Sequence, residues 1–174
     1  MVENFDAFMH SAVPYFAAVA QVGGAMLGLI FVAFTFNPKA LGKRERNLAQ
    51  QTFADLLMVL VTALALLLPS TPPKQVALAT LAIALAGSVQ MAWNLTLLLR
   101  STPQARDARY LLRRYGVSLL GHAGLLAASV LFIGEGAAGA TMRSLLLLSP
   151  LALLVAGSRS AWMLVVRNAE GEDG

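Results

Sequence analysis

The sequence predicts an all-α membrane protein, a bundle of five transmembrane helices with the N-terminus outside and the C-terminus in the cytoplasm. Three observations carry that reading. Of 174 residues, 57% are hydrophobic and only 13% charged, about half the charge of an ordinary globular chain. Apolar runs of membrane-crossing length recur between charged or turn-forming segments. Lys and Arg collect in alternate connections. A soluble domain of this length keeps much of its surface in water and could not hide so many apolar side chains, so lipid is the expected solvent. The mean hydropathy of +0.68 agrees. Disorder and a disulfide scaffold are excluded by the same composition, the latter also by the absence of cysteine.

A helix needs about 20 apolar residues to cross a hydrocarbon core of about 30 Å. The first span runs from Val13 to Phe36 and is closed by Asn37 and Pro38. Glu3 and Asp6 precede it where a signal peptide would be basic, so the span is read as retained, with residues 1–12 an extracytoplasmic segment. The second runs from Phe53 to Leu68, ended by Pro69 and the turn Ser70-Thr71-Pro72-Pro73. The third extends from Val76 to Leu99, the fourth from Tyr115 to Ile133 and the fifth from Ser144 to Val166, the last two joined by the Gly-rich stretch Gly134–Ala140. Residues 13–167 thus form one transmembrane domain, and residues 168–174 an acidic tail expected to be disordered. The short connections make neighbouring helices antiparallel.

Five crossings place Lys39, Lys43, Arg44, Arg46, Arg100, Arg106, Arg109, Arg113, Arg114, Arg159 and Arg167 on one side, and only Lys74 and Arg143 on the other. Cytoplasmic loops collect cations, so this eleven-to-two division sets the orientation; an even number of spans would scramble it. The same division accounts for the net charge of +4 without nucleic acid, since the basic loops carry no interleaved aromatic platforms. Arg106, Arg109 and Arg113 share a face if their segment is helical and are candidates to hold anionic lipid headgroups. Trp93 and Trp162 sit toward the cytoplasmic ends of their spans as interfacial anchors.

Within lipid, helices associate through close packing of small residues and through interhelical hydrogen bonds. Ala20, Gly24 and Gly28 lie four apart on one face of the first span, with a GxxxG motif between the glycines, and Gly121 and Gly124 mark the fourth. These small faces predict a tight bundle that also self-associates as a homo-oligomer. Pro150 should bend the fifth helix, with Ser149 compensating.

The residues most at odds with hydrocarbon are Asp55, Gln90, Asn94, His122 and Arg159, all in the cytoplasmic half of the spans. Arg at a helix centre costs about 2.5–3.5 kcal/mol on the insertion scale and needs a partner; Asp55, the acid within a span, is the expected one. The stripes Thr52-Asp55-Val59-Thr62 and Ser149-Ala152-Ala156-Arg159 follow helical spacing and should face protein or water. This layer reads either as a hydrogen-bond network fixing helix register, or as a cytoplasm-facing cavity or pore mouth with His122 as a proton-linked switch.

Catalytic signals are few. No residue set suits a metal or another cofactor, and HExxH, GxSxG and P-loop motifs are missing. Ser118 and Ser129 share a helix with His122, but neither stands in a GxSxG motif: Ser118 follows Gly116-Val117 and is itself followed by Leu119-Leu120. The chain is expected not to be an enzyme.

The run Gly23-Gly24-Ala25-Met26-Leu27-Gly28-Leu29-Ile30-Phe31-Val32-Ala33, followed by Phe36-Asn37 and a basic turn, resembles the first helix of a group of small bacterial multi-pass membrane proteins with a GGAxxGLxFVAxxxN-like pattern. With the Pro-terminated second helix, the likeness covers about the first half of the chain. It implies a bacterial inner-membrane location and transfers no catalytic residue; some members are labelled modulators of a membrane protease. The expected function is a homo-oligomeric channel or pore for ions or small solutes. The alternative is a non-catalytic regulatory or scaffolding subunit with a membrane-protein partner, such as a membrane protease. Reporter tags fused to the two ends are expected on opposite sides of the membrane in a protease-protection assay; protection of both together would remove the odd number of crossings.

Overall fold

The computed structural model describes residues 2–36, 43–68, 72–101, 108–135 and 139–170. They form five helices and no strand: α1 (Val2–Phe36), α2 (Lys43–Leu67), α3 (Pro73–Ser101), α4 (Ala108–Glu135) and α5 (Ala140–Glu170). Each contains a stretch long and apolar enough to cross a membrane, respectively Ala7–Val32, Leu48–Leu67, Pro73–Arg100, Leu111–Gly134 and Ala140–Met163.

The helices are longer than the apolar runs that announce them. Hydrophobicity marks where hydrocarbon begins, whereas a helix continues until its backbone is broken. α1 therefore already runs from Val2 through the expected extracytoplasmic segment, α2 starts ten residues before Phe53, and α4 extends to Glu135 into the Gly-rich stretch. α5 likewise continues through 168–170, so the start of the expected disordered tail is helical; residues 171–174 lie outside the described residues. At α3, Pro73 occupies the first helical position, where its missing N–H removes nothing, and the Pro72 carbonyl accepts from Gln75 N (2.9 Å) and Val76 N (3.2 Å).

Backbone packing runs α2–α3, α3–α4, α4–α5 and α5–α2, closing a four-helix ring, while α1 lies outside it against α2 and, less extensively, α5. Phe16, Leu56, Val59, Leu125, Leu146 and Leu153 are among the core side chains that interlock these faces. The outer surface is apolar: Leu29, Val89, Leu112, Leu120 and both tryptophans are exposed, as lipid-facing positions should be.

Glycine sets how closely these helices approach. A Cβ added at Gly121 would lie 2.7 Å from Leu153 Cγ, and one at Gly124 would lie 2.5 Å from Ser149 Oγ, so these two glycines of α4 face α5. Gly157 plays the same part between α5 and α2, 2.8 Å from Leu56 Cδ2. On α1 the glycines contribute unequally to packing within the chain. Its close approach to α2 is made at Gly23, whose Cβ would meet Val59 Cγ1 at 3.3 Å and the α2 backbone at 3.8 Å. Ala20 is half-buried, a Cβ added at Gly24 would meet only Leu60 Cδ1 at 3.8 Å, and one at Gly28 would meet nothing within 4 Å. The GxxxG stripe thus lies at the edge of the intrachain interface, and its C-terminal glycine faces outward.

Pro150 is fully buried inside α5. Its ring deprives the helix of one N–H donor and disturbs the carbonyls a turn earlier. Two hydroxyls serve that region: Ser149 Oγ donates to the Leu145 carbonyl at 2.6 Å, and Tyr15 of α1 donates its hydroxyl to the Leu147 carbonyl. Near the same end, the Arg143 guanidinium lies over the Phe8 ring, 5.3 Å from its centroid. Gly121→Val is expected to destabilise the bundle by about 1–3 kcal/mol through overpacking, whereas Gly28→Val should leave unfolding of the detergent-solubilised monomer unchanged; equal effects in a chemical-denaturation series on the monomer would contradict this packing.

Candidate functional site

Helical periodicity places pairs of polar side chains one turn apart on three helices. α2 contributes Gln51 and Asp55, α4 contributes Ser118 and His122, and α3 contributes Gln90 and Asn94. Because α2 and α4 stand opposite each other in the ring, their inward polar faces meet across its interior, with α3 flanking one side. Gln51, Asp55, Ser118 and His122 are at most 5% exposed.

Asp55 is the focus. Its Oδ1 accepts from Gln51 Nε2 at 2.7 Å, and the Ser118 hydroxyl lies 2.9 Å from Oδ2 and 3.0 Å from Oδ1. Gln51 is itself held by α3, since Asn94 Nδ2 donates to Gln51 Oε1 at 2.7 Å. Gln90 Nε2 in turn donates to Asn94 Oδ1 at 3.2 Å. Amide donors therefore point successively inward, from the exposed Gln90 through Asn94 and Gln51 to the carboxyl group. Such a chain ties α3 to α2, because Asn94 and Gln51 each accept on the amide oxygen and donate through the amide N–H, and the Ser118 hydroxyl on the carboxyl group brings in α4.

His122 completes the layer from the other side. Its Nδ1 is 2.9 Å from the Ser118 carbonyl. A carbonyl only accepts, so Nδ1 carries a proton there. The other ring nitrogen, Nε2, faces Asp55 Oδ1 at 3.9 Å. Ser, His and Asp are thus assembled, but not in the order that activates a nucleophile: the Ser118 hydroxyl faces the carboxyl group, and the imidazole meets the serine's main chain.

The expected Asp55–Arg159 ion pair is not formed. Asp55 is sealed inside, whereas Arg159 is exposed. The reason lies in the rotation of α5, which presents Gly157 to Leu56 of α2 and buries Ser160. Arg159 is about 200° and 100° round the helix from these two. A long aliphatic stem near a helix end can carry its charge toward the interface, and this arginine sits four residues from the end of the α5 span at Met163. The companion stripe on α2 behaves as expected: Thr52, Asp55, Val59 and Thr62 are all buried. Arg109 and Arg113 are exposed on α4, one turn apart, while Arg106 lies outside the described residues.

Two members of the layer escaped the sequence reading. Gln51 lies two residues before the apolar run that defined the second span, and Ser118 drew notice only as a would-be nucleophile. Their signal was the four-residue spacing to Asp55 and to His122, which puts each directly beside a titratable group on the same helix face. No protein-family model matches the chain, and neither does any curated protein or solved structure.

Asp55→Ala is expected to cost about 1–3 kcal/mol, because it leaves the buried Gln51 amide and Ser118 hydroxyl without their acceptor. Asp55→Asn retains an acceptor oxygen and should cost distinctly less. Unfolding of the two variants in mixed micelles checks the order.

Proposed function

We propose that this is a bacterial inner-membrane protein, N-terminus outside and C-terminus cytoplasmic, that assembles as a homo-oligomer and passes ions or small solutes. The observation that supports this most is the depth distribution of buried polar side chains. The layer around Asp55 occupies the end of the bundle that adjoins the basic connections, and Thr62, Thr80 and Ser129 are fully buried further along the helices. The hydroxyl of Thr62 has no hydrogen-bond partner among the described residues. Polar groups inside hydrocarbon are costly and commonly serve ion or proton pathways. Their recurrence along the spans fits passage of something small and polar.

Self-association is supported by the outer surface of α1. Gln21, Ala25 and Gly28 are exposed along one side of its span, where a polar amide and two small residues suit a second helix better than lipid tails. A bacterial inner-membrane setting rests on the Gly23–Asn37 pattern, and the orientation on the segregation of Lys and Arg. Exposed Arg109 and Arg113 fit contact with anionic headgroups at the cytoplasmic face.

One observation favours a regulatory or scaffolding subunit instead: the layer around Asp55 is sealed and largely hydrogen-bonded within one chain, as a purely structural network would be. The two readings separate by experiment. Purified protein reconstituted into planar bilayers or dye-loaded liposomes is expected to conduct, with flux falling about tenfold or more in Asp55→Ala, equivalent to at least about 1.4 kcal/mol on the barrier. Gly28→Val is expected to lower the oligomer mass in nanodiscs. Silent bilayers, together with stoichiometric recovery of a foreign membrane protein after gentle extraction, would replace the channel by the scaffold.

A further inference from the structure

We propose that Asp55 and His122 together form a proton-binding site inside the membrane, one that holds a single exchangeable proton between two helices on opposite sides of the ring. This rests on the pathway reading of the polar layer and identifies the ion that the layer is built to bind.

The argument is one of donors and acceptors. The Ser118 carbonyl fixes the proton of neutral His122 on Nδ1, at 2.9 Å, which leaves Nε2 with a bare lone pair. That lone pair faces Asp55 Oδ1 at 3.9 Å. An ionised carboxylate opposite an unprotonated ring nitrogen would set two acceptors against each other in a sealed interior. The buried negative charge would then have only the neutral Gln51 and Ser118 donors, an unfavourable state for a charge removed from water. One added proton resolves both problems. It resides either on the carboxyl oxygen, with the imidazole neutral, or on Nε2, giving an imidazolium–carboxylate pair. Transfer moves the proton from Oδ1 to Nε2: the O–H bond breaks, the N–H bond forms, and the pair stays neutral overall. Closing 3.9 Å to hydrogen-bond distance takes about 1 Å of side-chain movement.

Among the described residues, nothing else around the pair supplies that charge. α3 presents Met91, 4.0 Å from the Ser118 hydroxyl, and Asn94, and its cations Lys74 and Arg100 stand at the helix ends. On α4, Arg114 lies one turn before Ser118, with its guanidinium 5.6 Å from the Tyr115 ring centroid. α5 carries Arg143 over Phe8 and the exposed Arg159. Within the α1 span, Tyr15 donates to the Leu147 carbonyl and His10 is exposed. Gly87 of α3 leaves the space the imidazole occupies, since a Cβ there would lie 3.2 Å from His122 Cδ2 and overlap the Met58 thioether. About 10 Å of helix separates Asp55 from Leu48 at the start of the α2 span, so the site is within reach of the membrane surface on the basic side.

The chain has only two histidines, His10 and His122, which makes the test direct. Full-length protein labelled with ¹⁵N-histidine in phosphatidylglycerol-containing nanodiscs should give two sets of ring-nitrogen signals, assigned with His10→Gln. The Nε2 signal of His122 is expected to change with bulk pH and to shift in Asp55→Asn, a substitution that should leave the His10 signals where they are. Infrared difference spectra between acid and alkaline buffer should contain a protonated-carboxyl band that is lost in Asp55→Asn and displaced in His122→Gln. Ser118→Ala, which keeps the carbonyl that orients the ring, should shift that band and preserve its response to His122→Gln. A His122 signal indifferent to Asp55→Asn, or a carboxyl band indifferent to His122→Gln, would overturn the proposal. The spectra require no transport. Coupled signals in protein that does not conduct would uphold the proton site and sink the pore, whereas conduction with uncoupled signals would do the reverse.

Discussion

A polar group carried into hydrocarbon must find its partner on another helix, and the interior of this protein is arranged around that requirement at Asp55. The carboxyl group draws a donor from its own helix, Gln51, and another from the opposite helix, Ser118. Because Gln51 is in turn held by Asn94, the requirement of one acid on α2 fixes the rotation of α3 and α4 as well. A rotation of any of the three by one residue, about 100°, would break a hydrogen bond that water is not there to replace.

Apolar packing works alongside this constraint and cannot substitute for it. Lipid tails solvate leucine as well as another helix does, so association needs either close contact or directed bonds. Contact is supplied where glycine removes a side chain: Gly121 and Gly124 between α4 and α5, Gly157 between α5 and α2, and Gly23 between α1 and α2. Direction is supplied by the polar layer at one end of the ring and by the hydroxyls of Tyr15 and Ser149 around Pro150. The stretch of α5 around Pro150 is thereby tied to α1, the helix outside the ring.

The same arrangement shapes what the protein can do. A hydrogen-bonded amide chain ending on a carboxyl group orders helices, but amides do not exchange protons readily; the titratable members are Asp55 and His122, and they face each other. Their placement on α2 and α4 joins the opposite walls of the ring. A proton lost or gained there would alter the force between those walls.

Much of the fold was legible in the chain. Five apolar runs, their Pro- and Gly-marked ends and the inward stripe Thr52-Asp55-Val59-Thr62 follow from the length of helix that hydrocarbon demands and from helical periodicity, both local properties. The helix ends were less legible, because a helix outlasts its hydrophobic stretch: Gln51, just beyond the second run, is buried with Asp55. The pairing of charges was not legible at all. Opposite charge at similar depth suggested Asp55 with Arg159, but depth leaves rotation undetermined, and the packing of Gly157 and Ser160 turns Arg159 outward. By itself, then, the sequence determined how many apolar helices there are and which residues are polar within them, since these depend on neighbours along the chain. Only the tertiary structure decided which polar groups meet, since that depends on how five helices rotate against one another, and their small residues and buried hydrogen bonds set that rotation jointly.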